Sequence, residues 1–145
     1  MRFEIEMNDA VIHQAAALVT RHYNNGNFLN LVAQEINFNN TNDSGEVVAR
    51  KLDALELNPL TVKIKPYKAW YFSKVIGYAS GNTIYVNTRK LGLPLKDRTA
   101  NFLHESLHLL GYSHKGNSVN AFNLGTVPYR VSSIFVKYLE SIGKL

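Results

Sequence analysis

The stretch "DRTANFLHESLHLLGYSH", Asp97 to His114, sets the reading of the whole chain. Residues 98 to 110 read as an amphipathic helix, with Asp97 as its cap and Gly111 as its stop. His104 and His108 are four apart, so they share one helix face a turn apart and both imidazoles reach a single ion. Leu103, Leu107 and Leu110 form a neighbouring stripe that fastens the helix to a core. A continued helix would carry residue 114 away, but glycine readily takes the left-handed conformation that turns the chain back. His114 then returns as a third nitrogen. Three neutral imidazoles and a water make a tetrahedral zinc site with one open position, the catalytic rather than the structural arrangement. Glu105, beside the first histidine, is then expected to act as general base toward the metal-activated water and not as a ligand.

These are three of only five histidines. His13 and His22 lie on another predicted helix with no second candidate ligand a turn away, and read as ordinary surface or core histidines. That helix, "AVIHQAAALVTRHY", follows a short alternating strand, "RFEIE", with Asn8 or Asp9 as its cap and "NNGN" as its end. "FLNLVAQEINF" is ambiguous between helix and strand, and leans to helix. Asp43 or Ser44 caps the next helix, "EVVARKLDALEL", which Asn58-Pro59 stops.

From residue 60 the apolar period changes. "LTVKIK" alternates, with Val62 and Ile64 on one face and Lys63 and Lys65 on the other. "KVIGYASGNTIYVNTR" reads as two strands joined in a hairpin at Ser80-Gly81-Asn82. Pro128 fits the first turn of a last helix, striped by Val131, Ile134, Phe135, Tyr138 and Ile142. With no repeat or linker, the expectation is one α+β domain over residues 1–145. Its small twisted sheet is expected to be mostly antiparallel or mixed and to pack against several helices.

The absence of cysteine excludes disulfides, thiolate ligands and a cysteine nucleophile, so any metal site must use histidine and carboxylate. The net charge of +5 is that of a slightly basic solvated surface. The acidic start "MRFEIEMNDA" lacks the apolar run of a signal peptide, and no segment approaches the roughly 20 apolar residues that cross a bilayer. A cytoplasmic location is the default expectation.

His104, Glu105, His108, Gly111 and His114 fill all five defining positions of H-E-x-x-H-x-x-G-x-x-H. This segment resembles the zinc-binding consensus of the metzincin metallopeptidases, which include astacins, serralysins and matrix metalloproteases. The resemblance implies a zincin-like fold, one catalytic zinc ion held by the three histidines, Glu105 as catalytic base, and a peptide or protein substrate. It also implies an edge strand, preceding the active-site helix, that holds substrate in extended form. "GNTIYVNTR" occupies that place in the order, with Thr83 to Val86 as the pairing segment. The chain departs from the family in lacking the Met-turn methionine, since its only methionines are Met1 and Met7. "GTVPYR" is the counterpart, with Val127 beneath the site. Tyr129 falls two residues later, where astacins and serralysins carry a tyrosine that stabilises the oxyanion. Lys115, after the third histidine, matches no metzincin subfamily.

Other readings accompany this one. "KIKPYKAWYFSK", residues 63 to 74, interleaves lysines with aromatics as a single-stranded nucleic-acid platform does, although aromatics entering a sheet are more often core. A zinc-bound domain that binds a protein or nucleic acid without cleaving it is the alternative to the peptidase. The expected partners exclude a membrane and do not favour nucleic acid.

Overall fold

The computed structural model describes Met1–Leu145 as six helices and one four-stranded mixed sheet. The chain runs β1 (Arg2–Ile5), α1 (Ala10–His22), α2 (Gly26–Ala33), α3 (Gly45–Ala54) and β2 (Thr61–Tyr67). It continues through β3 (Gly77–Ser80), β4 (Thr83–Asn87), a short 3-10 turn, α4 (Leu95–Leu109), α5 (Ala121–Leu124) and α6 (Val127–Ser141). No helix is long and apolar enough to cross a membrane.

The strand order is β1-β2-β4-β3, with β1 and β4 parallel to β2 and β3 antiparallel to β4. The sheet is therefore mixed, the second of the two expected forms, with two of its three pairings parallel. Three helices separate β1 from β2 and return the chain to the same end of the sheet, as parallel pairing requires. The hairpin forms as expected, with Ser80 opposite Thr83 and Gly81 at φ +59°. Its second strand inserts between β2 and β3. β4 is thus an interior strand, and Thr83 to Val86 have no free edge to offer a peptide; the edge beside α4 is β3.

Alternation puts Val62, Ile64, Ile84 and Val86 on one sheet face, all fully buried. Against them lie Phe102, Leu103 and Leu107 of α4, which itself packs between α1 and α6. Burying each such side chain is worth roughly 1.5–3 kcal/mol, so α4 is firmly held and a rigid site can be built on it. On α6, Val131, Phe135 and Tyr138 are buried, whereas Ile142 is exposed and lies past the helix end.

Caps agree with the sequence at Asp9 and Ser44, whose side chains accept from the N–H groups of Ile12 and Val47. Asp97 does not cap α4. The helix begins two residues earlier, at Leu95 after Pro94, and Asp97 falls in its first turn. The ambiguous segment after residue 25 is helical only to Ala33. Beyond it Phe38 is buried and Asn39 bridges to Thr126, so tertiary contacts end the helix. Asn25 caps this helix rather than merely ending α1.

Candidate metal centre

α4 ends as its sequence requires. Gly111 has φ +94°, its N–H donates to the His108 carbonyl, and the Tyr112 N–H donates to the Leu107 carbonyl. This is the paired Schellman arrangement, which reverses the chain within two residues. The reversal brings His114 back to the helix face that carries His104 and His108.

The three Nε2 atoms converge, 3.2 Å apart for His104 and His108 and 3.1 Å for each of these with His114. Every Nδ1 faces a backbone carbonyl: Tyr112 for His108 and Gly116 for His114, both at 2.7 Å, and Pro128 for His104. A carbonyl only accepts, so each Nδ1 carries the proton and each Nε2 presents a lone pair. Three lone pairs facing one another across about 3 Å repel unless a cation lies among them. A tetrahedral ion about 2.0–2.1 Å from each nitrogen sets neighbouring nitrogens about 3.3–3.4 Å apart, close to the observed spacing. The residues fit a metal ion, and His104, His108 and His114 are positioned to bind one. No carboxylate joins this cluster, and His13 and His22 lie outside it.

The electrostatics of the site agree with neutral ligands. Burial lowers the His104 pKa to about 3, with help from the neighbouring His108 and His114 and against the Pro128 hydrogen bond. His108 is lowered by burial too. Glu105 is buried and its pKa is raised to about 7 by desolvation, opposed by hydrogen bonds from the Ala79 backbone N–H and the Asn101 side chain. The Asn101 amide stands 3.3 Å from Oε1, one helical turn before Glu105.

Glu105, His104, His114 and Tyr129 line one cleft of roughly 420 Å³, with Lys74 to Gly77 leading into β3 along another part of its wall. Asp97 lines the cleft but is not among the converging donors. The Tyr129 ring packs edge-on to His104 at 4.6 Å and tilted against His114 at 5.0 Å. Burial, and then the Glu105 charge, raises its pKa. Val127 is buried in the core, one residue before the carbonyl that holds His104.

Sequence reading missed the groups that hold the third ligand. Asn123, fully buried on α5, accepts from the Lys115 N–H at 2.9 Å and donates to the carbonyls of Lys115 and Ser118 at 2.7 and 2.8 Å. Asn40 donates to Ser113 Oγ, and Asp43 accepts from the Tyr112 hydroxyl at 2.8 Å. The 39–44 loop and α5 therefore clamp the segment carrying His114 from two sides. The one local signal was Asn120, which caps α5 by accepting from the Asn123 N–H. Among known proteins, the chain matches no family model, no curated protein and no solved structure.

Proposed function

We propose that this chain is a zinc-dependent peptidase with a metzincin-like centre on a zincin-like fold. The observation that carries the reading is the set of three Nε2 lone pairs, each oriented by an Nδ1–carbonyl hydrogen bond, beside a buried carboxylate that is not a ligand. A closed structural site would not need that carboxylate, which is expensive to bury. Such a metal, when bound, polarises the scissile carbonyl and lowers the pKa of water towards about 7.

Glu105 takes the proton of the attacking water as the new C–O bond forms, and delivers it to the leaving nitrogen as the C–N bond breaks. Its raised pKa suits both transfers, because an acid–base group works best near the operating pH. Asn101 and the Ala79 N–H orient the carboxylate. Tyr129 donates to the oxyanion from its place against His104 and His114. The substrate runs along β3, the edge strand beside the cleft, in place of the β4 segment that the sequence order suggested.

The test is a diverse peptide library incubated with metal-loaded protein and with Glu105→Ala, the products being read by mass spectrometry. The wild type should cut. The variant should keep its metal and lose at least about 10²–10⁴-fold in rate. Equal cutting by Glu105→Ala would overturn its role as the base. No cuts from fully loaded wild type across the library would leave the non-cleaving binding domain as the reading.

A further inference from the structure

The aromatic run Trp70-Tyr71-Phe72 is not core. The three residues are 73%, 71% and 70% exposed, contrary to the usual fate of aromatics entering a sheet. They occupy the tip of the loop between β2 and β3, where the Ser73 N–H donates to the Trp70 carbonyl and closes a tight turn. Both arms of the loop are pinned at its base by one buried side chain. Asn87 Oδ1 accepts from the Ala69 N–H at 3.4 Å, and its Nδ2 donates to the Val75 carbonyl at 2.8 Å. The Arg89 Nε adds a bond to the Ala69 carbonyl at 3.0 Å. The loop is thus held at its base, with its three large rings out in solvent.

The surrounding charge has one sign. Residues 57–96 contain seven lysines and arginines and no aspartate or glutamate, whereas the rest of the chain carries nine against eleven. Within this stretch, Lys65 pairs with Glu6, Lys96 pairs with Glu140, and Lys63 stands opposite Glu4 in the sheet register. Apart from Lys63, the cations of this stretch without a carboxylate within 4.0 Å gather around the aromatic tip: Lys68, Lys74, Arg89 and Lys90. Lys68, Arg89 and Lys90 line an open recess of roughly 590 Å³ with Tyr71 and Thr88, of a size and charge to take a phosphate group.

We propose that this tip docks on a membrane surface rich in anionic phospholipid, with Trp70 and Phe72 entering the headgroup region and the recess taking a lipid phosphate. Amphipathic aromatics favour the membrane–water interface, and cations beside them are attracted to anionic leaflets. Absence of a membrane-spanning helix does not bear on such docking, so the expectation of no membrane partner gives way here to a peripheral one. Single-stranded nucleic acid fits less well, because it needs open ring faces along a charged track. Here Trp70 and Phe72 meet at 60° and Tyr71 and Phe72 at 84°, each pair about 5 Å apart, and Arg89 lies over Tyr71. On the sheet, Tyr78 and Tyr85 are stacked on each other, and the Lys63 and Lys65 charges are opposed by Glu4 and Glu6. The inference is independent of the metal site, although the arm at Lys74–Gly77 also lines the cleft and would bring it close to the lipid.

Trp70 is the only tryptophan, so the tip carries its own reporter. Full-length protein is titrated with vesicles of phosphatidylcholine, with or without 30% phosphatidylserine, while Trp emission and co-sedimentation are read. Anionic vesicles should shift the emission to the blue and bind the protein, and neutral vesicles should do neither. Lys68→Glu with Lys90→Glu should weaken binding at least about tenfold, as should 0.5 M salt. Phe72→Ser should reduce the blue shift with the circular-dichroism spectrum unchanged. Absence of both binding and shift with anionic vesicles at low salt would overturn the proposal. Binding without a Trp shift would also overturn it, because contact would then lie elsewhere. Emission that responds to a single-stranded oligonucleotide and not to vesicles would assign the surface to nucleic acid instead.

Discussion

Asn123 shows how a residue outside the histidine cluster can hold one of its members in place. Asn123 is itself fully buried, and its side chain makes three hydrogen bonds to the segment after His114. Asn123→Ala leaves those backbone groups short of partners, at about 1–3 kcal/mol. It should also weaken metal binding about 10–100-fold, as outer-shell changes do; calorimetric titration returning wild-type affinity would show that His114 is held without it. His22 carries a pH prediction separate from the metal. Its Nδ1 is buried without a partner, its ring meets Tyr138 edge-on at 6.2 Å, and burial, then Lys144 and Arg21, lower its pKa from 6.5. Between that lowered value and 6.5 the unfolded chain binds more protons, so stability rises with pH across this window. The contribution is complete above about 6.5 and is lost as pH falls through the folded value. In metal-free protein, His22→Phe should flatten this part of the stability profile, and an unaltered slope would refute the assignment.

At the scale of elements, α4 and its reversal were legible because each step is local. The i, i+4 histidines, the leucine stripe and the glycine stop all act within one or two helical turns. The hairpin was legible for the same reason. The start of α4 was misread because Pro94 opens the helix while an acidic residue nearby looks like a cap. The fit of α2 to α3 was invisible in sequence, since it depends on backbone meeting backbone. A Cβ at Gly45 would run into the carbonyl oxygens of Val32 and Glu35, and the Gly45 N–H donates to that Glu35 carbonyl at 2.9 Å. Gly45→Ala should therefore lose about 1–3 kcal/mol in denaturant unfolding. Gly26→Ala, in open space at the start of α2, should be neutral or stabilising by a few tenths of that range. Equal effects of the two would contradict the close approach.

Across the whole molecule, what the sequence could not order was long-range. Alternation identified the strands, but nothing local states that β4 enters between β2 and β3, and so the edge role passed to β3. The clamp on His114 likewise joins residues 39–44 to residues 112–126, about 70 to 85 positions apart in the chain. Helix α4, the turn after it and the start of α6 each supply part of the centre, which lets a bound ion tie them together. Binding to the folded state alone then raises stability by about 2.7 kcal/mol at a free metal concentration 100 times its dissociation constant, and a chelator should reverse the rise in Tm. The most direct test of the metal centre is a zinc titration of metal-free protein, read as ions bound per chain. One ion is predicted for the wild type and for Glu105→Ala, with binding lost or greatly weakened in His104→Ala, His108→Ala and His114→Ala. Wild type that binds no zinc, or histidine variants that bind it as tightly as wild type, would contradict the account.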